Sequence, residues 1–217
     1  MKDTQRFENV CTKQQRIAQI AQQRPQERLT ALNQYVDVEW LKEAYGRVRK
    51  DSAPGVDGQT VDSYGKELEN NLHNLLNRAK SGTYQAPPVK RVHIPKDNGE
   101  TRPIGIPTTE DKVLQRAVVM LLEPIYEEAF YDFSYGFRPG RGPHNALDAL
   151  AVGIYKRKVN WVLDADIRDF FSSLDRVWLG KFLEHRIADS RVLRLIKKWM
   201  SAGVIEEGIW SDTRART

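Results

Sequence analysis

The chain has a single cysteine, Cys11, among 217 residues. One thiol can form neither an internal disulfide nor a cysteine-based zinc site, and it suits a reducing compartment, so a cytoplasmic location is expected. No apolar run approaches the ~18 residues that a membrane-spanning helix needs. The opening residues, MKDTQRFENV, put no apolar stretch after their charges, so neither a secretory signal nor a membrane partner is expected. There is no internal repeat. Charged residues make up 29% and hydrophobic residues 40%, a balance that excludes wholesale disorder. The length fits one domain or two small subdomains.

What is present in excess is positive charge. Lys and Arg number 34 against 29 Asp and Glu, a net +5. The excess is local. Between Ser134 and Lys158 stand Arg138, Arg141, Lys156, Arg157 and Lys158 against one acid, Asp148. Tyr135, Phe137 and Tyr155 are interleaved with them. Such a stretch reads either as a surface that tracks phosphates and stacks on bases, or as a solvated face with core aromatics.

Helical spacing dominates the pattern. Ile17, Ile20 and Ala21 hint at a first helix that Pro25 interrupts. Asp37 reads as an N-cap before Trp40, Leu41, Ala44, Tyr45 and Val48. The turn Ala53-Pro54-Gly55-Val56-Asp57-Gly58 stops that helix. A long helix is expected from Val61 to Ala79, closed by Gly82. Lys90 to Ile94 is strand-like, Asp97-Asn98-Gly99 is a hairpin signal, and Thr101 to Ile106 returns. Val113 to Tyr131 is the next helix, with Pro124 as an expected kink or break. A Gly-, Pro- and Arg-rich loop over Tyr135–Gly142 precedes a helix from His144 to Tyr155. Trp161 to Ile167 alternates with period two, which predicts a strand with Asp164 and Asp166 on one side, about 7 Å apart. Helices near Trp178–Ile187 and Val192–Ala202 follow, and the last ten residues show little pattern. Few strands and many helices give an α+β order.

Two features carry chemistry. Either or both of Asp164 and Asp166 can hold Mg²⁺, which binds phosphoryl-transfer substrates through one or two protein carboxylates and the substrate's own phosphates. Lys96, at the hairpin tip, and Arg102, on the returning strand, offer a point charge and a fork for phosphate. Both sets also read as ordinary surface charge.

Four strings appear in order: APGVDGQT, IPKDNGETRPIGIPTTEDKVLQRAV, FSYGFRPGRGPHNALDAL and LDADIRDFFSSLD. Together they resemble the reverse transcriptases encoded by bacterial group II introns, which double as maturases. The resemblance runs from about Thr12 to Thr213. It implies an RNA-directed DNA polymerase with an intron-RNA binding role and right-hand architecture. Residues 1–36 would be an N-terminal helical extension, 37–158 the fingers region and 159–217 a partial palm. The expected fold is α+β and helix-rich, with a β-hairpin and a small antiparallel sheet.

The resemblance also implies roles. Asp166 matches the first catalytic aspartate, a ligand of two Mg²⁺ ions, with the Ile167 carbonyl completing one coordination sphere. Lys96 and Arg102 match residues that grip the incoming dNTP, and Phe171 matches the steric gate beneath its sugar. Arg138 and Arg141 lie in a loop expected near template or primer, with Lys156, Arg157 and Lys158 extending the nucleic-acid surface. The implied partners are intron RNA template, a DNA or RNA primer and dNTPs.

The chain departs from the family at Asp169, Ser172 and Arg176, where Gly, Asp and His are usual. After Glu207-Gly208 the family's Tyr-Ala-Asp-Asp hairpin does not follow. The expectation is therefore a polypeptide inactive by itself, with self-association through incomplete palm surface. The alternative function is a non-catalytic RNA-binding fingers module or a degenerate remnant of the enzyme.

Overall fold

The computed structural model describes residues 2–96, 99–168 and 170–212. Helix α1 (Lys2–Gln23) ends before Pro25, where the sequence places the break. Helix α2 (Val38–Gly46) starts at Asp37, whose carboxylate accepts the Trp40 amide hydrogen at 2.9 Å. The single long helix expected from Val61 is two, α3 (Val61–Gly65) and α4 (Leu68–Ser81). The Asn71 side chain donates to the Tyr64 carbonyl at 2.9 Å and so satisfies an acceptor released at the break. Gly82 closes α4 in the left-handed conformation, φ 86°.

Helix α5 (Thr109–Tyr126) is the buried centre. Val113, Leu114, Ala117, Val118, Met120, Leu121 and Ile125 are all nearly solvent-free. Val10, Ile17 and Ala21 of α1 and Trp40, Leu41 and Ala44 of α2 belong to the same apolar cluster. Pro124 does not break α5. A proline lacks the N–H that would bond the carbonyl four residues earlier. That carbonyl, Met120 O, instead accepts from the Gln14 side chain of α1 at 3.1 Å. The Trp40 indole donates to the Ala117 carbonyl at 3.0 Å. At the other end of α5 the APGVDG turn lies backbone to backbone: a Cβ on Gly55 would stand 2.6 Å from Thr108 Cα. Only glycine permits that approach. Thr109 Oγ1 then donates to Gln59 O at 2.7 Å.

Strands β1 (Val89–Pro95) and β2 (Thr101–Ile106) form the expected antiparallel hairpin, with Lys90 opposite Ile106 and Pro95 opposite Thr101. Pro103 sits on β2, the edge strand, where a missing donor costs nothing. After α6 (Pro143–Arg157), the one-turn α7 (Phe170–Ser173), α8 (Arg176–Arg186) and α9 (Ser190–Met200), the chain forms β3 (Val204–Glu206) and β4 (Ile209–Ser211). Of this second hairpin, β4 falls within the last ten residues, where the sequence shows little pattern, and β3 just before them. Its β3 pairs parallel to β1, so the sheet, ordered β2-β1-β3-β4, is mixed rather than wholly antiparallel.

The strand expected at Trp161–Ile167 is not formed. No described strand pairs with it, and a lone strand leaves its backbone groups to water. Its apolar residues are accordingly exposed, Trp161 and Leu163 at 91% each.

The chain closes on itself at a short parallel bridge between Leu29 and Ile187. Leu29 N donates to Arg186 O and Ala188 N to Leu29 O, both at 2.8 Å. Asp189 caps α9 and also accepts from Asn33 N at 2.8 Å. Thus Ile187, Val192 and Leu195 join the core built by α1, α2 and α5.

Beneath α9 lies a buried polar pair. The Tyr84 hydroxyl donates to Asp111, and the Trp199 indole donates to that hydroxyl at 2.9 Å. Burial pushes the Asp111 carboxyl up to about 6; the charge of Glu110 adds to this, and the two hydrogen-bond donors oppose it. The folded state therefore holds this proton more tightly than the unfolded chain does. Stability from this group is complete below pH ~4 and is lost as pH rises through ~6, by at most about 3 kcal/mol. Asp111→Asn should flatten the pH dependence of thermal unfolding between pH 4 and 7. A variant with the wild-type pH profile would contradict this account.

Candidate nucleic-acid and nucleotide site

The hairpin brings Lys96 and Arg102 to one end. Lys96 follows the last residue of β1, and Arg102 stands opposite Ile94 on β2. The turn is held by Lys96 N donating to Glu100 O at 2.7 Å and Gly99 N to Lys96 O at 3.1 Å. Lys96 Nζ is 3.0 Å from Glu100, a half-exposed pair. Such a pair is worth little in water. Asp97 and Asn98, at the tip, lie outside the described residues.

The GFRPGR loop differs from a simple basic surface. Arg138 is buried, at 8% exposure. Its Nε and Nη2 contact Glu127 at 2.8 and 2.6 Å. Its Nη1 donates to the carbonyls of Tyr131 and Ser134, both at 2.8 Å. The guanidinium lies 4.9 Å from the centre of the Phe130 ring. Arg138 thus holds the loop together from inside, with its donors directed into the protein. Arg141 is closer to the surface: it donates to Asp132 O and lies 5.7 Å from the Tyr135 ring. Around them Tyr131 and Phe133 stack nearly parallel at 5.2 Å. Phe137 is fully exposed, with φ 57°.

Lys156 and Arg157 lie in the last turn of α6 and Lys158 is its C-cap, all exposed. Cations there also complement the negative end of the helix dipole. No residue of α6 is buried.

Asp164 and Asp166 are exposed on the unpaired segment, beside Ile167 at 67% exposure. Neither makes a hydrogen bond or ion pair to another described residue. Among the described residues no group of three or more His, Cys, Asp or Glu side chains gathers to hold a metal. The donors present therefore do not make a two-ion site. Phe171 lies in α7, but its side chain is outside the described residues, as is Asp169.

Arg138 as a buried organiser was not legible in the sequence. The only available signal is Glu127, eleven residues earlier, at the end of a helix.

A cationic hairpin, an arginine-built aromatic loop and a two-aspartate segment occur here in one chain. The profile of the reverse transcriptase (RNA-dependent DNA polymerase) family matches residues 94–216. The chain belongs to that family. Among its relatives, the group II intron-encoded protein LtrA of Lactococcus lactis subsp. cremoris is 33% identical over 213 residues, covering 94% of this chain and 34% of LtrA. Protein YkfC of Escherichia coli is 37% identical over 179 residues, covering 79% of this chain and 47% of YkfC. Nuclear intron maturase 1, mitochondrial, of Arabidopsis thaliana is 30% identical over 91 residues, covering 42% of this chain and 12% of that protein. The chain thus spans about a third of LtrA and about half of YkfC.

Removing Arg138 should loosen the loop. Arg138→Ala leaves Glu127 and two carbonyls without their donor, a loss of about 2 kcal/mol of local stability. Chymotrypsin, which cuts after the rings of this loop, should then nick it roughly thirtyfold faster. Arg138→Lys, with one ammonium for three acceptors, should fall between. Wild-type cleavage in Arg138→Ala would remove Arg138 from this role.

Proposed function

We propose that this chain is the fingers and first palm portion of an RNA-directed DNA polymerase of the group II intron type, and that by itself it binds RNA without catalysis. The observation that carries this is the family match over residues 94–216, joined to a hairpin that presents Lys96 and Arg102 at one end. Fingers would comprise 37–158 and palm 159–217, behind the helical extension 1–36. In the complete enzyme Asp166 would serve at the metal centre, with the Ile167 carbonyl beside it and Phe171 under the sugar. Lys96 and Arg102 would hold the triphosphate of a dNTP. Arg141, Lys156, Arg157 and Lys158 would face template or primer, with Arg138 shaping the loop that carries Arg141. The bacterial relatives LtrA and YkfC support a cytoplasmic bacterial setting.

The separation of binding from catalysis is supported by Asp166 standing, among the described residues, outside any cluster of metal-binding side chains. A single exposed carboxylate holds Mg²⁺ weakly, because the ion keeps most of its waters without further oxygen ligands. The exposed apolar side chains of Trp161, Leu163, Trp178 and Phe182 support self-association at high concentration.

Structured RNA should bind, with affinity falling steeply as salt rises. Arg141→Ala should reduce the salt slope by roughly one phosphate contact. On a primed RNA template with dNTPs and Mg²⁺, the 217-residue chain should make no cDNA. Template-dependent extension that disappears in Asp166→Asn would overturn the catalytic half of this reading, and absence of RNA binding at any salt would overturn the other half.

A further inference from the structure

A second basic surface, sharing no residue with the hairpin or the GFRPGR loop, lies on α8 and α9. Helix α9 is strongly two-faced. Val192, Leu195, Ile196 and Trp199 pack on the core. Arg194, Lys197, Lys198 and Ser201 repeat at the spacing of one helix face, with Ser190 a turn earlier. A solvated helix face would show the same stripe. What distinguishes this one is an opposing wall.

That wall is Arg28, and the backbone fixes its place. Leu29 is bonded on both sides to residues 186–188. Arg186 reaches back to the carbonyls of Arg24 at 2.9 Å and Ala21 at 3.3 Å, and of Glu27 at 2.5 Å. Arg28 is therefore held across from α9 by secondary bonding rather than by its own side chain. Between the two runs a hollow of about 580 Å³ whose lining includes Arg28, Glu184, Ser190, Arg194, Lys197 and Lys198. A second hollow of about 370 Å³ continues it past Arg28 and Glu184 to Lys181 and His185.

The cations divide by use. Lys198 donates to the Gly82 and Tyr84 carbonyls, which keeps its ammonium at the floor. Lys197 pairs with Glu184 at 2.8 Å, in an exposed contact that water weakens. Arg28 and Arg194 are exposed; the charge of Arg28 acts with that of Lys197 on Glu184, and the Arg194 guanidinium lies against Gly82, neither spending its donors on a hydrogen bond to a described residue. Four cationic side chains thus face one carboxylate, and two guanidinium forks on opposite walls have unspent donors. Forks match phosphate geometry. The stripe from Ser190 to Ser201 is about 16 Å long, enough for several consecutive phosphates.

We propose that this trough binds the phosphodiester backbone of RNA, as a second contact surface independent of the hairpin and loop. The proposal rests on the reading of the chain as an RNA-binding part of a reverse transcriptase, and it assigns Arg28 and Arg194 as the principal contacts. Two basic surfaces would raise the number of phosphates that one structured RNA neutralises.

The test is fluorescence anisotropy of a labelled RNA hairpin against the full chain over a range of KCl concentrations. Arg28→Ala with Arg194→Ala should weaken binding about tenfold or more at low salt and reduce the log–log salt slope by roughly 1.5–2. Arg28→Lys with Arg194→Lys, which keeps the charges, should retain the slope, and its thermal melt guards against loss of fold. If wild-type chain binds RNA and Arg141→Ala lowers the slope while the Arg28/Arg194 alanine pair does not, the trough is overturned and the functional reading stands. If wild-type chain does not bind RNA, both fall. Binding of poly-glutamate that is lost in the alanine pair, with RNA binding intact, would reassign the trough to an acidic peptide and also overturn the proposal.

Discussion

The burial of α5 between α1 and α2 is the constraint on which the rest of the structure depends. A helix enclosed in this way must have its backbone acceptors satisfied by its neighbours wherever its own ladder fails. Pro124 creates one such failure, and Gln14 of α1 answers it at Met120 O. Trp40 of α2 adds a bond to Ala117 O from the other side. These contacts fix how α1 and α2 approach, and apolar packing does the remainder. The bridge at Leu29–Ile187 then brings α9 over the same core, with Asp189 serving both the helix start and the Asn33 amide.

The long section between α5 and α8 is organised differently. It contributes almost nothing to the core, and α6 buries no residue. Its order comes from local polar bonding, above all the Arg138 contacts with Glu127 and two carbonyls. Arg186 plays a similar carbonyl-gathering part for residues 21–27. Charge in this protein therefore has two uses. Some arginines are inward ties that hold loops in shape, and others, such as Arg28, Arg102 and Arg194, stand outward. Composition alone does not separate the two, because both uses raise the same count.

What could be read from the sequence was what is local. The Asp37 cap, the Gly82 stop, the hairpin around Gly99 and most helices depend on neighbours within a few residues, and all are present. Pairing across the chain was not legible. Strands β3 and β4 are three residues each, and β3's partner, β1, lies more than a hundred residues earlier. The Glu207-Gly208 turn, both residues at positive φ, was the available signal. The opposite error occurred at Trp161–Ile167. The alternation there is real, but alternation states which face each side chain would take, not whether a partner strand exists. Of the site, Lys96 and Arg102 were legible as a pair because one hairpin carries both. The burial of Arg138 was not legible, because it is set by Glu127 and by loop carbonyls that no residue pattern announces.

A closed helical core here carries an aspartate segment that pairs with no described strand. Amide hydrogen exchange along the purified chain reads this directly. Amides of α2, α5 and α9 should exchange slowest, and those of residues 161–167 should exchange at close to the rate of free peptide. Protection at Asp164 and Asp166 equal to that of α5 would show a paired strand there and contradict the account.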